Sequence, residues 1–114
     1  MRYPDVSTVL NAPLVDGYGG QRTRDWANAT RTTVRCVVQP VSSDEDNDRR
    51  QTTATRWWAA YDPSAPLDPS SRVEWDGQTL EVDGEIGRWK RRGTVQHLEV
   101  TLRRATDTET TADG

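Results

Sequence analysis

The stretch RVEWDGQTLEVDGEIGRWKRRG (residues 72–93) decides the fold. Val73 and Trp75 alternate with charged residues before Asp76 and Gly77, and Leu80 and Val82 alternate after them. Asp-Gly between two alternating runs predicts a two-residue hairpin, because a type I′ turn needs positive φ at both central residues. The second half of the stretch is different. Four of the five residues from Arg88 to Arg92 are basic, with Trp89 among them, and Gly93 follows. This run reads as a solvated turn before the last strand. The competing reading is a grip for nucleic acid or an acidic partner, since Arg with an interleaved Trp contacts phosphates and stacks on bases.

Outward from this unit, strand signals dominate. In TVQHLEVTLRRA (residues 94–105), Leu98, Val100 and Leu102 share one face and His97, Glu99, Thr101 and Arg103 the other. In TRTTVRCVVQPV (residues 30–41), Val34, Cys36 and Val38 share a face, and Pro40 is confined to an edge or a strand end. TTATRWWAAYD (residues 52–62) returns as a strand with Thr55, Trp57, Ala59 and Tyr61 opposite Arg56 and Trp58; Trp57 is assigned inward. STVL (residues 7–10) is a short extended piece before Pro13. The period of two marks Val34, Cys36, Val38, Trp75, Leu80, Val82, Leu98, Val100 and Leu102 as the core.

The connections are equally legible. Residues 11–26 carry three glycines in the four positions 17–20 and read as a turn-rich loop that docks through Leu14, Val15, Tyr18 and Trp26. PSAPLDPSS (residues 63–71) holds three prolines and reads as a stiff connector. Both segments have apolar residues without a pairing pattern, so the barrel or a neighbour should cover them, and both are expected to carry assembly contacts. SSDEDNDRRQ (residues 42–51) is a charged loop. No run of ten or more residues shows helical periodicity. Five or six strands without a helix predict an all-β chain: a small antiparallel β-barrel, SH3-like or sandwich-like, with long loops. Residues 1–104 form one such domain with an extended N-terminal segment, and residues 105–114 are a polar tail expected to be disordered.

Composition limits what this domain can do. Of 114 residues, 32% are hydrophobic and 29% charged, so the core is small and assembly is one way to offset marginal stability. A net charge of −3 argues against a protein whose main task is gripping the DNA backbone. A single cysteine, Cys36, forbids an internal disulfide and reads as a small buried hydrophobe. No apolar run is long enough to span a membrane and no signal segment is visible, so the expected site of synthesis is an intracellular, reducing compartment.

Catalytic constellations are missing. His97 is the one histidine and lies mid-strand, and one His with one Cys is no zinc ligand set. The acids of DEDND (residues 44–48) lack the spacing of a calcium loop, and GYGGQ lacks the Lys-Ser/Thr of a phosphate loop. No carboxylate pair stands out among the 18 acids. The chain is expected to be no enzyme, with no cofactor and no metal.

The order of motifs resembles a family. A Tyr-Gly-Gly loop, then Asp25 and Trp26, precedes the VQP strand end (residues 38–40). A polar loop, a Trp-bearing strand and a Pro-rich connector lead to RVEWDGQTLEVDGEIGRWK and HLEVTLRR. This order, over about residues 5–104, resembles the head-to-tail stopper (head-closure or head-completion) proteins of long-tailed actinobacteriophages. The resemblance implies a virion neck protein made in the cytoplasm of the bacterial host. It implies a homo-oligomeric ring, sixfold favoured over twelvefold, below the portal or head-to-tail adaptor and above the tail terminator and tail tube. Such a ring closes the packaged head and passes genomic DNA without sequence-specific binding or membrane contact. The family's channel loop falls on residues 41–52 here, which assigns Asp44, Glu45, Asp46, Asp48, Arg49 and Arg50 to the DNA path. Tyr18, Trp26, Arg88, Trp89, Lys90, Arg91 and Arg92 are assigned to assembly interfaces. Two rivals stand beside this reading. One is a monomeric small β-barrel that binds a peptide or nucleic acid, distinguished by an aromatic groove and a monomeric mass at all concentrations. The other is a hydrolase with an unrecognised carboxylate pair, distinguished by an activity lost on changing one surface acid.

Overall fold

The computed structural model describes residues 3–41 and 56–105, and all structural statements concern these. Nine strands are formed: β1 (Asp5–Asn11), β2 (Leu14–Asp16), β3 (Arg22–Arg24), β4 (Thr30–Pro40), β5 (Arg56–Tyr61), β6 (Arg72–Trp75), β7 (Gln78–Val82), β8 (Gly87–Arg91) and β9 (Thr94–Arg104). Two single 3₁₀ turns, Tyr18–Gly20 and Trp26–Asn28, are the helical content among the described residues. The strands run in the order β5-β4-β1-β6-β7-β9, and β5 pairs back with β9, so six antiparallel strands close a barrel. Closure leaves these six strands no long unpaired edge to template aggregation.

β9 organises the closure because it is long. Its C-terminal half pairs with β5 on one edge, with Trp57 opposite Leu102 and Ala59 opposite Val100. The other edge is divided end to end: β7 takes Leu102 to Arg104, and β8 takes Thr94 to Glu99. β8 therefore lies beyond the barrel wall, attached to one neighbour.

The interior is built from the expected alternation. Cys36, Val38, Leu80, Val82, Leu98, Val100 and Leu102 are buried, and each large aliphatic side chain fully removed from water stabilises the fold by about 1.5–3 kcal/mol. Trp57 is inside at 4% exposure and Trp58 half outside, as the strand parity requires. Val34 and Trp75, expected in the core, only pack against it from partly buried positions. Trp75 sits beside the hairpin turn, where the barrel wall ends. Val9, Val73, Ala59 and Tyr61 complete the centre, all at 0% exposure.

Three segments gain detail beyond their sequence reading. The short extended piece at residues 7–10 is a full strand, β1, paired with β4 from Asp5 to Asn11 and with β6 from Thr8 to Leu10. The loop over residues 11–26 contains a pairing that the pattern did not show: Leu14–Asp16 runs antiparallel to Arg22–Arg24 as a small ribbon. Every residue in both strands is exposed, so no hydrophobic alternation could announce them. The Pro-rich connector turns its apolar residues into its own barrel. Ala65 and Leu67 are each 8% exposed and belong to the core cluster. It is fixed there by Asn11, whose Nδ2 donates to the Pro66 carbonyl at 2.7 Å, and by the buried Ser71, whose Oγ donates to Asn11 Oδ1.

Candidate assembly surface and its supports

The β6–β7 unit behaves as the sequence dictates. Asp76 and Gly77 have φ of 53° and 74°, the paired left-handed conformation of a type I′ turn. It brings Val73 opposite Leu80 and Arg72 opposite Glu81, one pair inward and one outward.

The basic run is a strand and not a turn, which corrects the sequence reading. Gly87–Arg91 pairs with β9, and the reversal falls on Arg92 and Gly93, with φ of 53° and 81°. The physical reason is the length of the last strand: Thr94–Glu99 extends past the end of β7 and offers a free edge that the chain fills on its way in. All five residues of β8 are exposed. Among the described residues, no carboxylate forms an ion pair with Arg88, Lys90, Arg91 or Arg92. A register shift between Trp89 and Lys90 makes Gln96 the extra residue of β9, since Trp89 faces His97 while Lys90 faces Val95. This bulge turns Val95 to the core side, where strict alternation from Leu98 would have pointed it out.

Trp89 is 55% exposed and takes no part in the core. It stacks on His97, with ring centroids 6.0 Å apart and planes 9° from parallel. His97 Nε2 lies 2.9 Å from Glu99 Oε2, and the Trp58 indole N–H donates to Glu99 Oε1 at 3.2 Å. Glu99 thus joins β5, β8 and β9 on the outside of the barrel. Burial alone would raise its pKa, but the hydrogen bonds from His97, Trp58 and Trp89, with the charge of His97, hold it below the usual carboxylate value. The mid-strand histidine is a structural prop for an exposed tryptophan, a role its isolation in sequence did not suggest.

Trp26 lies elsewhere. Its ring is half-buried under the Arg72 guanidinium, 4.3 Å from the ring centroid, a cation–π contact that ties the residue 12–28 segment to β6. β7 and β9 separate β6 from β8 in the sheet, so Trp26 and the basic run belong to different parts of the surface. Tyr18 begins a 3₁₀ turn, and its side chain lies outside what is described. Asp44, Glu45, Asp46, Asp48, Arg49 and Arg50 also lie outside the described residues. Their segment leaves and re-enters the barrel at one defined stem: Pro40 faces Trp57, and the Val41 N–H donates to the Arg56 carbonyl at 2.9 Å. Around that stem Arg56 pairs with Asp83 at 2.9 Å and Arg103 with Glu81 at 2.8 Å, while Arg104 lies 5.5 Å from the Trp57 ring.

Inside the barrel, Ser7, Cys36 and Tyr61 share a buried polar contact. Ser7 Oγ is 2.9 Å from the Tyr61 hydroxyl and 3.1 Å from Cys36 Sγ. Burial pushes both the Cys36 thiol and the Tyr61 phenol up, so each stays protonated and neutral near neutral pH. A protonated thiol sealed in a barrel is a poor nucleophile. No group of three or more His, Cys, Asp or Glu able to hold a metal occurs among the described residues, and none of their helices is long and apolar enough to cross a membrane.

No protein-family model matches this chain, and no curated protein sequence does. Solved structures do. Protein SF1141 from Shigella flexneri 2a superposes with a TM-score of 0.65 over 94% of this chain and 96% of its own, at 18% identity. The protein xkdH of the phage-like element PBSX from Bacillus subtilis superposes with a TM-score of 0.51 over 88% of this chain and 92% of its own, at 14% identity. At such identities the likeness is one of fold: a small antiparallel β-barrel of this size occurs in both.

Proposed function

We propose that this chain is a structural protein of a phage virion neck, a head-to-tail stopper that forms a homo-oligomeric ring between the portal or its adaptor and the tail. The observation that carries the reading is the likeness to a protein of a phage-like element over nearly the whole length of both chains. The motif order from the Tyr-Gly-Gly loop to HLEVTLRR agrees with it. The reading assigns no catalysis to the chain: its work is done by shape and charge, in closing the head, docking the tail and passing DNA.

Two features suit that task. A long segment, residues 42–55, is held on a narrow stem at one end of a rigid barrel, so it can reach a channel without disturbing the fold. Its acids Asp44, Glu45, Asp46 and Asp48 would repel phosphates within a Debye length of about 8 Å and keep DNA from sticking as it passes. The second feature is the exposed basic strand β8, a surface of opposite sign on the same subunit.

The test is a phage in which this gene carries a nonsense mutation. The reading expects filled heads that lose their DNA and do not join tails, rescued by the wild-type chain. Normal tailed, infectious particles would refute it. A variant with all four acids changed to Asn or Gln separates the two roles of the loop. Retention with slow ejection marks a lining, leakage marks a gate, and wild-type behaviour removes the loop from the channel.

A further inference from the structure

We infer that the outer edge of β8 is the receptor for an acidic extended stretch of a second copy of this chain, TDTE (residues 106–109), added to the sheet as a strand. The inference deepens the ring reading and rests on it only for the step from paired copies to a closed ring.

β8 has the properties of an open strand edge. It pairs with β9 on one side and, among the described residues, carries no strand on the other. An open edge presents a row of unpaired backbone N–H and C=O groups, which proteins use to bind extended peptides. The side chains select for charge. Arg88 and Lys90 project on one face and Trp89 and Arg91 on the other, all exposed. The hairpin that carries them holds Arg92 at a φ of 53°, a left-handed conformation that disfavours any residue with a Cβ. Asn or Asp would suit that turn better. A fourth cation is kept there against local preference.

The occupant follows from spacing. Asp107 and Glu109 are two residues apart, with threonines at 106 and 108, which is the period of a strand with acids on one face and β-branched residues on the other. The same period separates Arg88 from Lys90. Opposite charges on facing residues of paired strands attract, and like charges repel. The donor must be another copy. Glu99, opposite Gly87 at the near end of β8, lies six residues before Ala105, or about 20 Å of strand. Residue 107 is two residues past Ala105, about 7 Å of chain, and residue 109 about 13 Å, so neither reaches its own β8. Delivery from one copy to the next is a head-to-tail contact, the kind that closes rings. Nucleic acid fits the site less well, because its phosphates would not use the row of backbone N–H and C=O groups along the edge.

The probe is a synthetic peptide of residues 105–114, titrated into the ¹⁵N-labelled full chain. Expected are saturable amide shifts confined to Gly87–Arg91 and the facing half of β9. Affinity should fall about tenfold in the double variant Arg88→Glu, Lys90→Glu, which alters only exposed side chains. A peptide of the same composition with its acids made adjacent should bind at least about tenfold more weakly. Equal binding by that scrambled peptide, shifts mapping away from β8, or no saturation overturns the inference. Displacement of the peptide by single-stranded DNA with the same dependence on Arg88 and Lys90 also overturns it, and makes the edge a nucleic-acid surface. Failure here with leaking, tailless heads in the nonsense mutant would remove the strand exchange and leave the neck reading standing.

Discussion

The β6–β7 and β8–β9 hairpins reverse the chain in the same way and end in opposite situations. Both turns hold two consecutive residues at positive φ, Asp76 with Gly77 and Arg92 with Gly93. The first hairpin is flanked on both sides, by β1 and β9, and buries Val73, Leu80 and Val82. The second has its outer strand fully exposed. Turn chemistry fixes where the chain reverses, and apolar alternation fixes whether the reversed strand enters the barrel. GRWKR has no apolar alternation, with Trp89 its single large apolar side chain, so its strand stays outside as a charged edge.

The sharpest way to break this comparison is to place one charge in each region. Val100→Asp buries an unpaired carboxylate at a position 3% exposed and should abolish the cooperative unfolding transition. Trp89→Asp, on the exposed strand, should lose the stacking on His97 and the hydrogen bond to Glu99, about 1–2 kcal/mol together, and keep a cooperative urea transition. A folded Val100→Asp chain of unchanged stability would show that the inward face is misassigned.

A smaller effect tests the barrel's buried polar contact. Tyr61→Phe removes the hydroxyl bonded to Ser7 but leaves Ser7 with Cys36, so it should cost about 1 kcal/mol in urea unfolding. A cost above about 3 kcal/mol would mean that the hydroxyl does more than satisfy its neighbour.

The two turns are distinguished by substitutions of opposite sign. Gly77→Ala places a Cβ at a φ of 74° and should destabilise by about 1 kcal/mol. Arg92→Asn relieves the same strain and should stabilise by about 0.5–1 kcal/mol. If Arg92→Asn destabilises, the arginine makes a contact that stabilises its own subunit, and its strain needs no external explanation.

The smallest effect is a pH dependence. Glu99 has a folded pKa below its unfolded value, so its contribution is complete above the unfolded value and is lost as pH falls through the lowered folded one. The stability difference between the wild type and Glu99→Gln should therefore be largest near neutral pH and shrink through the acidic carboxylate range. A difference independent of pH would remove the charge on Glu99 from the support of Trp89.

The barrel was largely legible in the sequence, for physical reasons that its residues show. Val34 to Val38, Leu80 to Val82 and Leu98 to Leu102 alternate because one face is buried, and Asp76-Gly77 announces its turn because few other residues tolerate it. What escaped had no buried face to announce it. β2 and β3 are three residues each and exposed throughout. β8 looked like a turn because strand propensity is weak in a run of cations. The support of Trp89 by His97, Glu99 and Trp58 joins residues up to 41 apart and depends on a register that only pairing sets. The apolar residues of the Pro-rich connector were legible as packed, but their cover is the barrel itself and not a neighbour.

As the neck protein proposed above, this barrel would sit in copies around the DNA path between head and tail. Cryo-electron microscopy of virions assembled with this chain tests it most directly. The account predicts a ring of six barrels at the head–tail junction, each fitting the closed β5-β4-β1-β6-β7-β9 sheet, with the stem at Val41 and Arg56 turned toward the central channel. A twelvefold ring would change the stoichiometry and keep the claim. Virions whose neck density cannot accommodate the barrel, or that lack the chain altogether, would contradict it.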